Sequence, residues 1–299
     1  MNEAYKKQVK LLLDMLPEVA KEDCFAMHGG TAINLFVRNM PRLFVDIDLT
    51  YVHIAERAET LKGINAALVR VQERIQGLRS TIRVQHKENV CKLQISEEGT
   101  LIKIEVNMVG RGLLAEASKV QLCEAAQEQF DVFSAIHIVP LAQLYGGKIC
   151  AALDRQHPRD LFDVKLLLEN EGFTDELKRG VIFGLVSSNR PTHEMLAPNM
   201  LDQRLAFESQ FEGMSSIAFS YDDYEATKFK LIETVRASLN DHDRAFLLGF
   251  NSLEPDWSIY DFQPFPSVRW KLLNLNKFKK ENSGRYQQQL VALKKLFEN

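Results

Sequence analysis

The stretch MHGGTAINLFVRNMPRLFVDIDLTY, residues 27–51, decides how the rest of the chain is interpreted. It opens with two glycines and a threonine, continues as a short amphipathic segment, breaks at Pro41 and ends in a predicted strand that carries Asp46 and Asp48. Side chains alternate between the two faces of a strand, so we expect both carboxylates on the face opposite to Ile47.

Two carboxylates on one face of a sheet repel each other, and each raises the pKa of the other. A divalent cation removes this conflict, and proteins commonly hold Mg²⁺ with one or two carboxylates and the phosphates of a substrate. Asp46 and Asp48 are therefore candidate Mg²⁺ ligands. The alternative is a solvated sheet face, because polar side chains are common on exposed strand faces. An Asp-x-Asp pair also occurs in metal-dependent glycosyltransferases.

The glycine turn supplies groups that suit a phosphate. Gly29 and Gly30 allow close approach of the backbone, and Thr31 adds a hydroxyl donor. The start of the helix that follows presents backbone N–H groups and the positive end of its dipole. A glycine turn, a short helix, a break and an Asp-x-Asp strand, in that order, predict a site for a triphosphate and its metal.

Composition narrows the class of protein. A chain of 299 residues is long enough for one large domain or two ordinary ones. Its net charge of −3 creates no global basic field, so contact with nucleic acid would need a local patch. The four cysteines have no metal-ligand spacing, which favours reduced thiols, and no apolar run approaches the roughly 20 residues of a membrane span. We predict a cytoplasmic protein without membrane contact.

The first half of the chain alternates helical and strand patterns. Apolar spacing predicts an opening helix closed by Pro17, a strand at 24–27 before the glycine turn and a helix over 55–78. Period-two alternation over 90–95 and 101–108, with turn residues between them, predicts an antiparallel hairpin.

From Pro140 the pattern is mainly helical. Lys148 and Arg155 are seven positions apart and share one helical face, while the residues around Gly-Gly-Lys do not fit a P-loop. After a break at His157-Pro158, Asp160 lies near the start of the next helix, where dipole and capping effects alone would favour a carboxylate. Further helices are predicted over 177–186, 200–211, 224–239 and 244–250.

The last segment is locally basic, and aromatic residues lie among its charges. Its members are Arg269, Lys271, Lys277, Lys279, Lys280, Arg285, Lys294 and Lys295, together with Trp270, Phe278 and Tyr286. Such a patch suits an RNA backbone and exposed bases, although charge runs on helices are usually solvated faces.

Four segments carry a family resemblance: HGGTAINLF, PRLFVDIDLTY, LAQLYGGKICAALDR and RDLFDV. They resemble the AbiEii/AbiGii toxin nucleotidyltransferases of abortive infection, within the DNA polymerase β superfamily. The resemblance covers at least residues 25–169 and extends to WKLLNL near the C-terminus. Phe44 departs from the family pattern, which often has Ser or Thr there. We expect Phe44 on the same strand face as Asp46, where it would crowd the site.

The resemblance implies an α+β fold. A polymerase β-type nucleotidyltransferase domain over 1–135, with a mixed or antiparallel sheet flanked by helices, would precede a helical C-terminal domain over 136–299. It also implies a Mg²⁺-dependent phage-defence toxin that transfers NMP from an NTP to an acceptor, for some members the 3′ end of tRNA, and a cognate antitoxin partner.

The resemblance assigns roles to particular residues. Asp46, Asp48 and Glu105 would bind the metal and serve catalysis, and Lys148 and Asp160 would complete the catalytic set. Glu105 is otherwise an ordinary solvated strand residue beside Lys103. The candidate triphosphate ligands are Gly29, Gly30, Thr31, Arg42, Lys148 and Arg155. Two alternatives keep the fold: a small-molecule nucleotidyltransferase of the antibiotic-modifying kind, and a degenerate protein that binds nucleotide without turnover.

Overall fold

The computed structural model describes residues 3–298. The chain forms two units, of which the first ends at Pro140 and also takes in Phe211–Ala218, while the second holds Leu141–Gln210 and the residues from Phe219 onward. The domain boundary predicted at 135/136 stays a prediction. Among the described residues, no helix has both the length and the apolar character needed to cross a membrane.

The first unit is built on one sheet. Its elements in chain order are α1 (Glu3–Val19), β1 (Phe25–His28), α2 (Gly29–Ala32), a π-helical turn (Ile33–Val37), β2 (Asp46–Tyr51), α3 (Arg57–Leu78), β3 (Arg83–Lys87), a 3₁₀ turn (Glu88–Val90), β4 (Lys92–Glu97), β5 (Thr100–Asn107), β6 (Ser118–Gln121), α4 (Glu124–Phe130) and β7 (Ala135–Ile138). The strands form a seven-stranded sheet in the order β3-β4-β5-β2-β1-β7-β6. Strand β2 is antiparallel to β1 and parallel to β5. This mixed sheet with flanking helices confirms the α+β prediction.

The core of the first unit follows the predicted periodicities. On β2, Ile47 and Leu49 are fully buried while Asp46 and Asp48 are half-buried, so alternation separates apolar from acidic side chains. The hairpin of β4 and β5 turns at Glu98 and Gly99, which both have positive φ and so match the right-handed twist of the strands.

Two predicted boundaries in this unit were wrong. Helix α1 continues through Pro17 to Val19, because a proline in the last turn removes one donor and the Ala20 N–H still bonds to the Leu16 carbonyl. Strand β2 begins at Asp46, so Phe44 precedes the strand and is not a member of its face.

Sequence patterns missed three strands. In β3 the side chains alternate only between exposed and half-buried, and its sequence RVQHK has no apolar period to detect. Strands β6 and β7 have four residues each, too short for a periodic signal.

The described part of the second unit is helical. Its elements are α5 (Leu141–Arg155), α6 (Pro158–Asn170), α7 (Asp175–Ser187), α8 (Thr192–Leu196), α9 (Arg204–Gln210), α10 (Tyr221–Ser238), α11 (Asp241–Asn251), α12 (Pro266–Glu281) and α13 (Ser283–Glu298). The helix predicted from Met200 begins only at Arg204, because Met200 and Leu201 are each 42% exposed and do not form a core stripe.

Helices α5 and α7 approach each other through glycines. A Cβ on Gly146 would collide with the backbone of Gly180, and a Cβ on Gly180 would collide with the carbonyl of Ala142. Gly147, the neighbour of Gly146, is exposed and has no atom near its missing Cβ. The Gly-Gly pair therefore serves helix packing through Gly146 alone.

We expect Gly180→Ala to lower the free energy of unfolding by about 3 kcal/mol, since the atoms that it meets are backbone and cannot rotate away. The matched control Gly147→Ala should raise the free energy of unfolding by about 0.5–1 kcal/mol, because alanine is the better helix former. Urea unfolding followed by circular dichroism measures both. Equal stability of the two variants would contradict the close crossing of α5 and α7.

Candidate active site

The glycine turn is attached to the strand that carries the acid pair. The Thr31 hydroxyl donates a hydrogen bond to the backbone carbonyl of Asp46, and Thr31 is fully buried. The Asn34 side-chain amide donates to the carbonyl of Gly30 at 2.9 Å. Sequence reasoning assigned the Thr31 hydroxyl to a phosphate, whereas in the structure this O–H group holds the turn against β2.

Both glycines of the turn are required by what lies against them. Gly29 has φ +78°, and a Cβ there would lie 2.5 Å from Oδ2 of Asp48. A Cβ on Gly30 would overlap the ring of Phe44. The Asp48 carboxylate therefore occupies the space that a side chain at position 29 would need. A candidate metal ligand and the candidate phosphate cradle are in contact.

Sheet register aligns three side chains across neighbouring strands. Asp48 is paired with His28 on β1 and with Glu105 on β5, and residues in register share a face of the sheet. His28 Nδ1 lies 3.0 Å from the Thr50 hydroxyl. Sequence reasoning missed His28, although its position next to Gly29 and the antiparallel pairing of β1 with β2 would have located it.

Glu105, the candidate third acid, has a partner of its own. It forms an ion pair with Lys92 of β4, and its side chain is 42% exposed. Asp46 is in register with Lys103 of the same neighbouring strand. Positive charge thus lies next to the acid row in the sheet and offsets part of its repulsion.

The donor set at Asp46 and Asp48 suits a hard divalent cation. Both carboxylates are half-buried on one face of β2, and neighbouring substrate phosphates would supply the remaining oxygens. Across residues 3–298, no group of three His, Cys, Asp or Glu is arranged to hold a metal ion. A site with two carboxylates and phosphates does not need a third protein ligand.

Arg42 contacts the Phe44 ring. Its side chain is fully buried, and the guanidinium carbon is 4.9 Å from the centroid of the Phe44 ring, which in turn packs on Gly30. The neighbouring Leu43 N–H donates to the carbonyl of Met214 at 3.0 Å, so residues 211–218 hold this loop. The predicted phosphate ligand Arg42 thus contacts the turn through an aromatic ring.

The second unit contains a buried charge cluster. Lys148 Nζ lies 2.8 Å from Asp160 Oδ1 and 3.1 Å from Asp163 Oδ2, and Arg155 Nε donates to Asp160 Oδ2 at 2.6 Å. Lys148 is 7% exposed, Asp160 2% and Asp163 1%. The break between α5 and α6 brings these side chains together, because Gln156 adopts φ +50° and α6 begins two residues later.

The cluster keeps Asp160 ionised. Burial raises the pKa of its carboxyl, but Lys148 and Arg155 together outweigh burial and hold that pKa well below its usual range. Lys148 Nζ donates a hydrogen bond to Asp160 and forms an ion pair with Asp163. Two carboxylates therefore hold the Lys148 ammonium inside the second unit.

The two units therefore gather different parts of the predicted set. The first brings together Gly29, Gly30, Thr31, Asp46 and Asp48, with Glu105 in register with Asp48 and Arg42 against the Phe44 ring. The second brings together Lys148, Arg155 and Asp160, with Asp163 as an additional member.

Comparisons with known proteins identify the family of this chain and a similar fold. The family profile described as "Nucleotidyl transferase AbiEii toxin, Type IV TA system" matches residues 10–274. The fold is similar to that of MenT4, a nucleotidyltransferase toxin from Mycobacterium tuberculosis H37Rv, with a TM-score of 0.64 and 13% identity over 92% of this chain and 95% of that one. The comparison with curated proteins gave no match. The chain therefore belongs to the AbiEii family of nucleotidyltransferase toxins from type IV toxin–antitoxin systems, as its sequence motifs predicted.

Proposed function

We propose that this toxin transfers a nucleoside monophosphate from an NTP to RNA, with the 3′ end of tRNA as the expected acceptor, in a Mg²⁺-dependent reaction. The proposal rests mainly on the contact between the Asp48 carboxylate and Gly29. This contact places a candidate metal ligand next to the candidate phosphate-binding turn. As a type IV toxin the protein has a cognate antitoxin and a nucleotide substrate. We further propose a cytoplasmic location and a role in phage defence.

In this proposal Asp46 and Asp48 hold the Mg²⁺, which supplies charge neutralisation and orientation of the phosphates when it is bound. The backbone of Gly29 and Gly30 binds the β- and γ-phosphates. Positioning and electrostatic complementarity then provide most of the catalysis.

The reaction is an in-line displacement. The oxygen of the acceptor hydroxyl bonds to the α-phosphorus, the bond from that phosphorus to the β-phosphate oxygen breaks, and pyrophosphate leaves with the electron pair. Glu105 accepts the hydroxyl proton in this proposal, since it lies beside Asp48 in the sheet and is 42% exposed. In the second unit, Asp160 orients the Lys148 ammonium, and Arg155 holds Asp160.

A second candidate function is nucleotide binding without turnover. One observation favours it: the Phe44 ring packs on Gly30. The family often has a small hydroxyl residue in place of Phe44. The small-molecule nucleotidyltransferase remains the other alternative, and an assay that offers RNA and small acceptors side by side separates it from the RNA proposal.

We expect Asp46→Asn and Asp48→Asn each to lower the rate of nucleotidyl transfer by about a hundredfold or more, because the amide removes a negative metal ligand and keeps the shape. The assay incubates the purified protein with Mg²⁺, total RNA and each α-labelled NTP in turn. Asp23→Asn, an isosteric change at an exposed turn of the same unit, should leave the rate unchanged. Full transfer by both site variants would refute the metal assignment.

We expect Asp160→Asn to lower the free energy of unfolding at neutral pH by about 3 kcal/mol, because it leaves the buried Lys148 with less negative charge. Because the pKa of Asp160 is lower in the folded than in the unfolded protein, its charge stabilises the fold at pH values above the unfolded pKa of about 3.9. This stabilisation is lost as the pH falls below that value. The difference between wild type and variant, from urea unfolding at a series of pH values, should therefore shrink in acid.

The matched control for this series is Asp154→Asn on the same helix as Lys148. Asp154 pairs with Arg190 at a site where both side chains are more than 40% exposed. Loss of this ion pair should lower the free energy of unfolding by about 1 kcal/mol or less. A stability difference for Asp160→Asn that stays constant down to pH 2 would show that the charge of Asp160 does not stabilise the fold.

We expect Phe44→Ser to bind NTP severalfold more tightly than wild type, since the ring covers the backbone of Gly30. Isothermal titration with Mg²⁺ and a non-hydrolysable NTP measures the Kd. Phe133→Ala, at a side chain 67% exposed in the same unit, serves as the control and should leave the Kd unchanged. Weaker binding by Phe44→Ser would mean that the ring supports the nucleotide site.

A further inference from the structure

Helices α12 and α13 pack against the rest of the second unit through buried side chains. Val268 of α12 is fully buried, and Lys271 Nζ donates to the carbonyls of Leu185 at 2.6 Å and Arg190 at 3.0 Å. The Tyr286 hydroxyl of α13 donates to the Asn251 carbonyl at 2.8 Å. These anchors set which side chains point outward.

Two lysines of α12 do not share the side of the helix that carries Trp270. Lys271 is 4% exposed, and its ammonium is used inside the fold. Lys279 Nζ lies 5.6 Å from the centroid of the Tyr286 ring. Lys279 is exposed, but it lies on the side of α12 opposite to Trp270.

One side of α12, called here its outward face, carries four exposed residues at helical spacing: Trp270, Leu273, Lys277 and Lys280. At about 100° per residue these positions fall on one side of the helix. Trp270 is 50% exposed and Leu273 61%, and both lysines are exposed. Lys277 lies 3.9 Å from Glu281 in a pair whose side chains are 71% and 64% exposed, so water and salt screen that pair.

The charge of this segment opposes that of the chain. Residues 266–298 contain eight Lys and Arg and two Glu, a net charge of +6, although the whole chain carries −3. The positive charge is thus concentrated on two helices, and the remainder of the chain is acidic. Concentrated lysines beside an exposed tryptophan suit a polyanion that also presents aromatic rings.

We infer that the outward face of α12 docks a single-stranded segment of RNA. Trp270 stacks on an unpaired base, while Lys277 and Lys280 contact phosphates on the same side of the helix. This inference rests on the proposed RNA acceptor and adds a binding surface to it. An anionic membrane or an acidic protein would also attract these lysines, so the proposed RNA acceptor selects RNA as the occupant, and the other two are outcomes of the test.

The test measures binding directly, without NTP. Fluorescence anisotropy follows a short labelled single-stranded RNA at increasing KCl, with the full-length protein, in wild type and in the variant Trp270→Ala, Lys277→Glu, Lys280→Glu. We expect the variant to bind at least about tenfold more weakly, with a salt dependence reduced by about one to two in the log–log slope. The control variant Phe229→Ala, Lys230→Glu changes an exposed aromatic and an exposed lysine of α10 and should bind like wild type.

Each outcome decides the inference. Equal binding by wild type and the α12 variant overturns it, as does an equal loss in the α10 control. Binding of anionic vesicles or an acidic peptide through α12, without binding of RNA, overturns it as well. If RNA binding is lost with the α12 variant but wild type labels no RNA with any NTP, the docking surface stands and the proposed transfer to RNA fails.

Discussion

The contact between Asp48 and Gly29 is the constraint on which the site depends. A carboxylate oxygen occupies the space that a side chain would need at position 29, and the Phe44 ring occupies the corresponding space at Gly30. The Thr31 hydroxyl ties the same turn to the carbonyl of Asp46. Turn and strand therefore hold each other, and the Asp48 carboxylate lies against the glycine turn.

The second unit meets a different physical requirement. It buries a lysine with two carboxylates, which is favourable only when every charge is paired and hydrogen-bonded. The helix break at Gln156 returns the chain so that Asp160 and Asp163 face Lys148, and Arg155 closes the other side of Asp160. Lys148 and Asp160 are twelve positions apart in sequence, and the helix break brings their side chains into contact.

Local patterns predicted much of this fold, and contacts between distant residues account for what they missed. Period two on β2 and β5 gave the strands and the side of each acid, because burial follows alternation there. No local pattern distinguishes Gly146, which meets Gly180, from Gly147, which faces open space. The ion pair of Glu105 with Lys92 and the ring of Phe44 on Gly30 depend equally on packing that spacing does not encode.

We propose that Asp46, Asp48 and the glycine turn form one metal and triphosphate site, and a crystal structure with Mg²⁺ and a non-hydrolysable NTP is the decisive measurement. We expect Mg²⁺ bonded to carboxylate oxygens of Asp46 and Asp48 at about 2.0–2.1 Å, with nucleotide phosphates on the Gly29-Gly30 backbone. Nucleotide bound away from the turn, or metal held without either aspartate, would rule out this site.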